Sequence, residues 1–220
     1  MLKTDTKLII FDMDGLMVDT ERLVIEAWKM AFEKRNIPVD MDFFLSLMGT
    51  THFNIRDKFN AKYSNYFDYE TEFHPEFIEK KFELLFNTEP SALRKKGLLE
   101  LIKYAKENNI KIIVASSTFR KDVLRILEYA EVLEYFDFTV CGDEVKNGKP
   151  DPEVFNKAIE KSGIKKENAI IIEDSQNGLL AGHNAGIKTI FIKDLVTPIP
   201  EVLETVWKQA DSLLDVIDMI

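Results

Sequence analysis

Five short apolar runs, set apart by helical patterns, constrain this chain more than any other feature. They are KLIIF (7–11), KIIVA (111–115), FTVC (138–141), AIIIE (169–173) and KTIFI (188–192). Each is too short for a stable helix, and each is mostly apolar with no polar alternation, as expected of strands buried on both faces. The intervening segments read as helices: Val123, Leu127 and Ala130 recur at spacings of four and three, and Asp151-Pro152 opens a segment that Gly163 closes. Strand and helix in alternation predict an α/β fold, a doubly wound, Rossmann-like parallel sheet with right-handed crossovers and helices on both faces.

The alternation breaks between residue 16 and about residue 90. Leu23, Ala27, Met30 and Ala31 share one helical face, and further helices are expected near 52–63 and 73–86, with a loop at Tyr63–Tyr69. Twelve of the 24 Phe, Tyr and Trp residues fall between 41 and 90, enough to build a separate aromatic core. Residues 17–90 are therefore expected to form an inserted α-helical domain, with 1–16 and 91–220 forming the α/β core.

Composition narrows the partners. Thirty-eight acidic residues outweigh 29 basic ones to give a net charge of −9, and basic residues cluster no further than the three of Arg94-Lys95-Lys96, which argues against nucleic acid or anionic membrane as a partner. The longest apolar runs, about five residues, cannot span a bilayer. The N-terminal run leads straight into two aspartates and fits no secretory signal, so the cytoplasm is the expected location. Cys141 is the only cysteine, at the end of an apolar run with no adjoining histidine, which predicts a buried structural thiol. His52, His74 and His183 are too scattered in sequence to form a metal trio.

Four polar clusters follow the predicted strands, where ligands bind in an open parallel sheet. They are Asp12-Met13-Asp14-Gly15, Ala115-Ser116-Ser117-Thr118, Gly148-Lys149-Pro150-Asp151-Pro152 and Glu173-Asp174-Ser175. Each alone has a plain structural reading: the serines and Asp174 as helix caps, Lys149 as a solvated loop charge, Asp12 and Asp14 as turn residues. Four at successive strand ends favour chemistry instead. Hydrolysis of a phosphate monoester needs an attacking oxygen, a cation for the phosphoryl oxygens, a proton for the leaving alcohol and donors for the transferring group, and these clusters supply matching types. Four carboxylates in one cleft cannot all ionise without a hard divalent cation, for which Mg2+ is suited.

The strings FDMDGLMVDT, ASS, GKPDP and IIEDSQNG together resemble the four motifs of the haloacid dehalogenase-like hydrolase superfamily, and most closely its branch of β-phosphoglucomutase and small-molecule phosphatases. The resemblance covers nearly the whole chain, and the helical insertion sits where that branch carries its cap. It implies Asp12 as nucleophile, Asp14 as general acid and base, Ser116 as a donor to a phosphoryl oxygen, and Lys149 as the neutralising cation. Gly15 and Ser117 are implied in phosphate binding. Magnesium is implied on the Asp12 and Asp174 side chains and the Asp14 carbonyl, with Glu173 a ligand or just outside. Gly49-Thr50-Thr51-His52 resembles the specificity loop of the branch, which would turn Thr50 and His52 toward substrate. Lys80 and Lys81 lie where the cap would offer a cation to the substrate's distal group, but a solvated helix face is the favoured reading for both, and Asp19-Thr20 is expected as a plain N-cap of the first cap helix. The cap is expected to hinge near 16–20 and 87–96.

The function so implied is a magnesium-dependent phosphatase acting on a small phosphorylated metabolite, a sugar phosphate or similar. A β-phosphoglucomutase-type mutase has the same motifs, but its cap histidine falls on Val24 here and its specificity-loop arginine on His52, which favours hydrolysis. Dehalogenases lack the counterparts of Asp14 and Glu173-Asp174. A non-catalytic binding module has no physical need for the charge cluster. The sequence leaves the oligomeric state open; a monomer is compatible with it.

Overall fold

The computed structural model describes residues 4–50 and 52–220. Its sheet is parallel throughout, in the order β3-β2-β1-β4-β5-β6. The chain runs from β1 (Leu8–Phe11) into the helical insertion: α1 (Thr20–Lys34), α2 (Met41–Leu45), α3 (His52–Tyr63) and, after a π-helical turn at Tyr69–Phe73, α4 (His74–Phe86). A single turn, α5 (Pro90–Leu93), and α6 (Leu98–Glu107) lead back to β2 (Lys111–Ala115) and α7 (Arg120–Tyr129). Then come β3 (Phe138–Val140), α8 (Glu153–Ser162), β4 (Ala169–Glu173), α9 (Gln176–Ala185), β5 (Lys188–Ile192), α10 (Pro200–Leu203), β6 (Lys208–Ala210) and α11 (Leu213–Val216). Among the described residues, no helix is long and apolar enough to cross a membrane.

Alternate residues of the central strands feed two cores. Ile9, Phe11, Ile112, Val114, Ile170 and Ile172 pack with α6, α7 and α11, while Leu8, Ile10, Ile113, Ala115 and Ile171 pack with α8 and α9. A strand with both faces covered is apolar at nearly every position, which is why these runs stood out in the sequence. The sixth strand did not: Lys-Gln-Ala pairs only with β5 at the sheet edge and keeps its side chains partly in solvent. Cys141 lies just beyond β3, fully buried, and burial pushes its thiol up.

The insertion has its own core of aromatic rings. Phe32 on α1 lies at its centre, with Phe44, Tyr63 and Phe73 ring centroids at 5.0, 4.9 and 5.8 Å, and Phe59 and Phe67 at 6.2 Å. Steep edge-on contacts dominate around Phe32, as the ring quadrupole favours.

Two crossing segments join insertion and core, pinned to each other by an antiparallel bridge between Val18 and Arg94 and by hydrogen bonds from Asp19 N to Leu93 O (2.9 Å) and from Lys95 N to Met17 O (2.9 Å). Charges encircle this crossing. Asp19 pairs with Arg22 (2.5 Å) and Lys95 (3.5 Å), and both cations also reach Asp194, at 3.2 and 2.7 Å. The expectation of a plain N-cap at Asp19-Thr20 is thereby corrected: Asp19 occupies the cap position but its carboxylate makes no cap bond, being held by the two cations instead.

Phe32→Ala should remove the centre of the aromatic core and cost about 3–5 kcal/mol of stability. Denaturant unfolding followed by circular dichroism would measure this, and a loss below about 1 kcal/mol would show that the rings do not form one packed unit.

Candidate active site

β1 and β4 are neighbours although their connections depart in opposite directions, so a crevice opens at their carboxyl ends. Asp12 is the first residue past β1, its amide continuing the ladder to Ile172 O (3.1 Å). Three residues on, the backbone turns through Gly15 at φ +82°. A Cβ at Gly15 would lie 2.5 Å from Asp174 Oδ2, so only glycine lets the first loop pack against the end of β4.

Lys149 is the hub of the crevice. Its ammonium donates to Asp12 Oδ1 (2.5 Å), Glu173 Oε1 (2.7 Å) and Ala115 O (3.2 Å), using all three protons on acceptors from three strand ends. It is buried, so the solvated reading of this lysine fails. Burial works against its charge, yet Asp12 and Glu173 hold the ammonium above its ordinary pKa. Glu173 is fully buried, and its second oxygen accepts from Asp174 N, Ser175 N (both 2.8 Å) and Ser175 Oγ (3.0 Å). Gly178 on α9 makes room for it, because a Cβ there would fall 1.7 Å from Oε1. Both oxygens of Glu173 are thus engaged by protein donors.

Asp14 is held by hydroxyls. Thr20 Oγ1 donates to Oδ1 at 2.6 Å and Thr118 Oγ1 to Oδ2 at 2.7 Å, with Ser116 Oγ 3.5 Å from Oδ2. Ser116 Oγ also accepts from Thr118 N (3.0 Å). The serines do not cap α7, whose first amide, Arg120 N, donates to Asp143 Oδ1 instead. Ser175 does cap α9, accepting from Gly178 N at 3.1 Å.

The carboxylates crowd one another. Asp12, Glu173 and Asp174 can each bring one oxygen within 4.8 Å of the others, and so can Glu21, Asp174 and Asp194. Asp174 Oδ1 and Asp194 Oδ2 are buried without a protein partner. Burial pushes the Asp12 carboxyl up to about 8, against the pull of Lys149 and with the help of Glu173 and Asp14. Burial, then Asp194 and Asp14, raises Glu21 to about 8, and burial with Glu173 and Asp12 raises Asp174 well above its usual value. Orphaned oxygens and carboxyls that resist ionisation are what a hard divalent cation would relieve.

A cavity of about 400 Å³ lies above these groups, beneath the insertion. Asp12, Asp14, Ser116, Ser117, Lys149 and Asp174 line it from the core, and Thr50 and His52 from the insertion; Gly15 and Glu173 support it from behind. Thr51 is outside the described residues. Asn177 Nδ2 on α9 donates to Gly49 O (2.9 Å), tying the insertion loop to the core. Lys80 is on the solvated face as expected, paired with Glu83 at 2.5 Å, but Lys81 is not: it is buried and lines the cleft, because α4 turns the face carrying Phe77, Ile78 and Lys81 inward.

Four contributions escaped sequence reading. Thr20 and Thr118 position Asp14, and Glu21 and Asp194 enlarge the acidic cluster. Asp194 lies two residues past β5, so the strand-end rule that found the other carboxylates could have found it. Glu21, Val24 and Trp28 have the spacing of one helical face, a signal that Glu21 looks into the cleft.

A family model described as haloacid dehalogenase-like hydrolase matches residues 9–192. The phosphorylated carbohydrates phosphatase of Thermotoga maritima is 31% identical over 193 residues, which cover 83% of this chain and 83% of that protein. Among solved structures, β-phosphoglucomutase from Clostridium difficile aligns with a TM-score of 0.80 at 25% identity, covering 96% of this chain and 93% of its own. CbbY from Rhodobacter sphaeroides in complex with phosphate also gives 0.80 at 25% identity, over 96% of each chain.

The raised carboxyls set a pH dependence. Asp12 and Glu21 hold protons in the folded protein up to about pH 8 but lose them near 4 when unfolded, so the metal-free fold loses stability as pH rises from about 4 to about 8. A cation must displace those protons, so its affinity rises over the same window. An excess of magnesium should therefore raise the melting temperature more at about pH 8.5 than at about pH 6. Equal shifts, or none, would contradict the site.

Proposed function

The chain belongs to the haloacid dehalogenase-like hydrolases, and from that premise we propose that it is a magnesium-dependent phosphatase that hydrolyses a small phosphorylated metabolite through an aspartyl phosphate on Asp12. One observation carries the reading: a buried lysine ties Asp12 to Glu173 while Asp14, held by Thr20 and Thr118, borders the same cavity. The name of the Thermotoga relative, a phosphatase of phosphorylated carbohydrates, supports the same reaction class. We read residues 17–90 as the cap that covers the catalytic core.

Asp12 attacks phosphorus with a carboxylate oxygen as the bond from phosphorus to the ester oxygen breaks, and Asp14 gives the leaving alkoxide a proton. Water then attacks the phosphorus of the aspartyl phosphate and passes a proton to Asp14, which releases inorganic phosphate and restores both carboxyl groups. Lys149 offsets the charge of Asp12 and keeps the carboxylate oriented, and Ser116 and Ser117 border the cavity where phosphoryl oxygens need donors. The Asp12 and Asp174 carboxylates and the Asp14 carbonyl are the groups to hold magnesium, which when bound supplies positive charge to the phosphoryl oxygens and relieves the repulsion between carboxylates. Glu173, with its oxygens occupied, acts by fixing Lys149 and the turn at Asp174-Ser175. Hydrolysis is favoured over phosphoryl return to a sugar by Val24, which lines the cleft and has no proton to transfer.

Asp12→Asn should keep the fold, read by circular dichroism, and lower phosphate release by at least about 10⁴-fold, since the near-isosteric amide cannot form the acyl phosphate. Activity within about tenfold of the parent protein would remove Asp12 from the role of nucleophile.

A further inference from the structure

Resting on the phosphatase reading above, we infer that the cleft is built for a phosphomonoester whose alcohol carries an apolar aryl or alkyl body, in preference to a polyhydroxylated sugar. The cap side of the cavity is formed by α1 and α4. The N-terminal end of α1 and the C-terminal end of α4 both meet the core crossing, so the two helices run antiparallel up the cleft. Their inward residues form rungs. Nearest the phosphoryl site the rung is polar, with Glu21 from α1 and Lys81 from α4. One turn further out stand Val24 and Ile78, and beyond them Trp28 and Phe77, whose rings are 5.7 Å apart.

Among these outer rungs the one polar atom is Trp28 Nε1, buried without a protein partner, while the polar lining groups Thr50 and His52 belong to the insertion-loop segment and Lys121 and Asp122 to α7. Thr50 Oγ1 donates to Leu47 O at 2.7 Å. His52 Nε2 lies 3.4 Å from Glu70 Oε1, and its ring is 4.6 Å from that of His74. A substrate body that extends from the ester oxygen past Glu21 and Lys81 therefore meets methyl groups and ring faces. Sugar hydroxyls placed against that wall would give up several hydrogen bonds to water in exchange for the single donor Trp28 Nε1. An aryl or alkyl body would bury its surface against the same wall with a gain proportional to area. Glu21 and Lys81 remain beside the ester, where one polar substituent next to the phosphate would find both an acceptor and a donor.

The test compares kcat/KM, with magnesium present, for acetyl phosphate, 3-phenylpropyl phosphate and D-glucose 6-phosphate. Acetyl phosphate has too short a leaving group to reach the apolar rungs and reports phosphoryl transfer itself. The expected result is hydrolysis of acetyl phosphate together with a preference of about tenfold or more for the phenylpropyl ester over the sugar ester. Ile78→Gln should shrink that preference, mainly through a higher KM for the phenylpropyl ester. A smaller or reversed preference in the parent protein, with acetyl phosphate still hydrolysed, overturns the inference and leaves the phosphatase reading standing. No hydrolysis of any of the three overturns the phosphatase reading itself.

Discussion

The fold converges on one buried ammonium. Lys149 satisfies Asp12 after β1, Glu173 at the end of β4 and a carbonyl at the end of β2, so one side chain ties together the tips of three neighbouring strands. Removing one partner from a buried ion pair costs about 3–5 kcal/mol, because the charge left behind has no water to turn to. The triad is therefore a poor choice for stability alone. Its value is geometric: it fixes the Asp12 carboxylate at the mouth of the crevice and needs no motion to meet developing charge. The neighbouring glycines follow from it. Gly178 leaves space for Glu173 and Gly15 for Asp174, and a methyl group at either position would collide with a carboxylate.

The insertion solves a different problem. A crevice at the end of an open sheet is wet, and a charged site gains strength when water is excluded. The cap proposed for residues 17–90 must hold its own shape, which the ring cluster around Phe32 provides without borrowing from the sheet. It must also report its position to the chemistry. Thr20, the first residue of α1, donates to Asp14, so the helix that enters the insertion starts on a hydrogen bond to the residue proposed to carry the proton. Asp19, Arg22, Lys95 and Asp194 surround that same crossing with a ring of opposite charges.

Much of this was legible in the sequence for physical reasons. The five apolar runs stand out because strands covered on both faces tolerate few polar positions, and the four motifs stand out because ligands gather at strand ends. Helices near 52–63 and 73–86 followed from spacing, and they form at His52–Tyr63 and His74–Phe86. What escaped depends on contacts distant in sequence. Strand β6 is held by backbone pairing to β5, which leaves no mark on side-chain pattern. Thr20 and Asp19 looked like an ordinary helix start, and only the placement of the insertion over the core gives one to Asp14 and the other to a cation pair. Lys81 looked like a solvated charge beside Lys80 until the packing of α4 on α1 turned it inward.

Trapping the covalent intermediate tests the central claim most directly. Borohydride reduces an acyl phosphate on aspartate to homoserine, so protein quenched during turnover, reduced and digested can be mapped by mass spectrometry. Conversion of residue 12 alone, dependent on substrate and absent from Asp12→Asn, is the predicted result. Steady phosphate release with residue 12 unmodified, or modification at another carboxylate, would contradict the account.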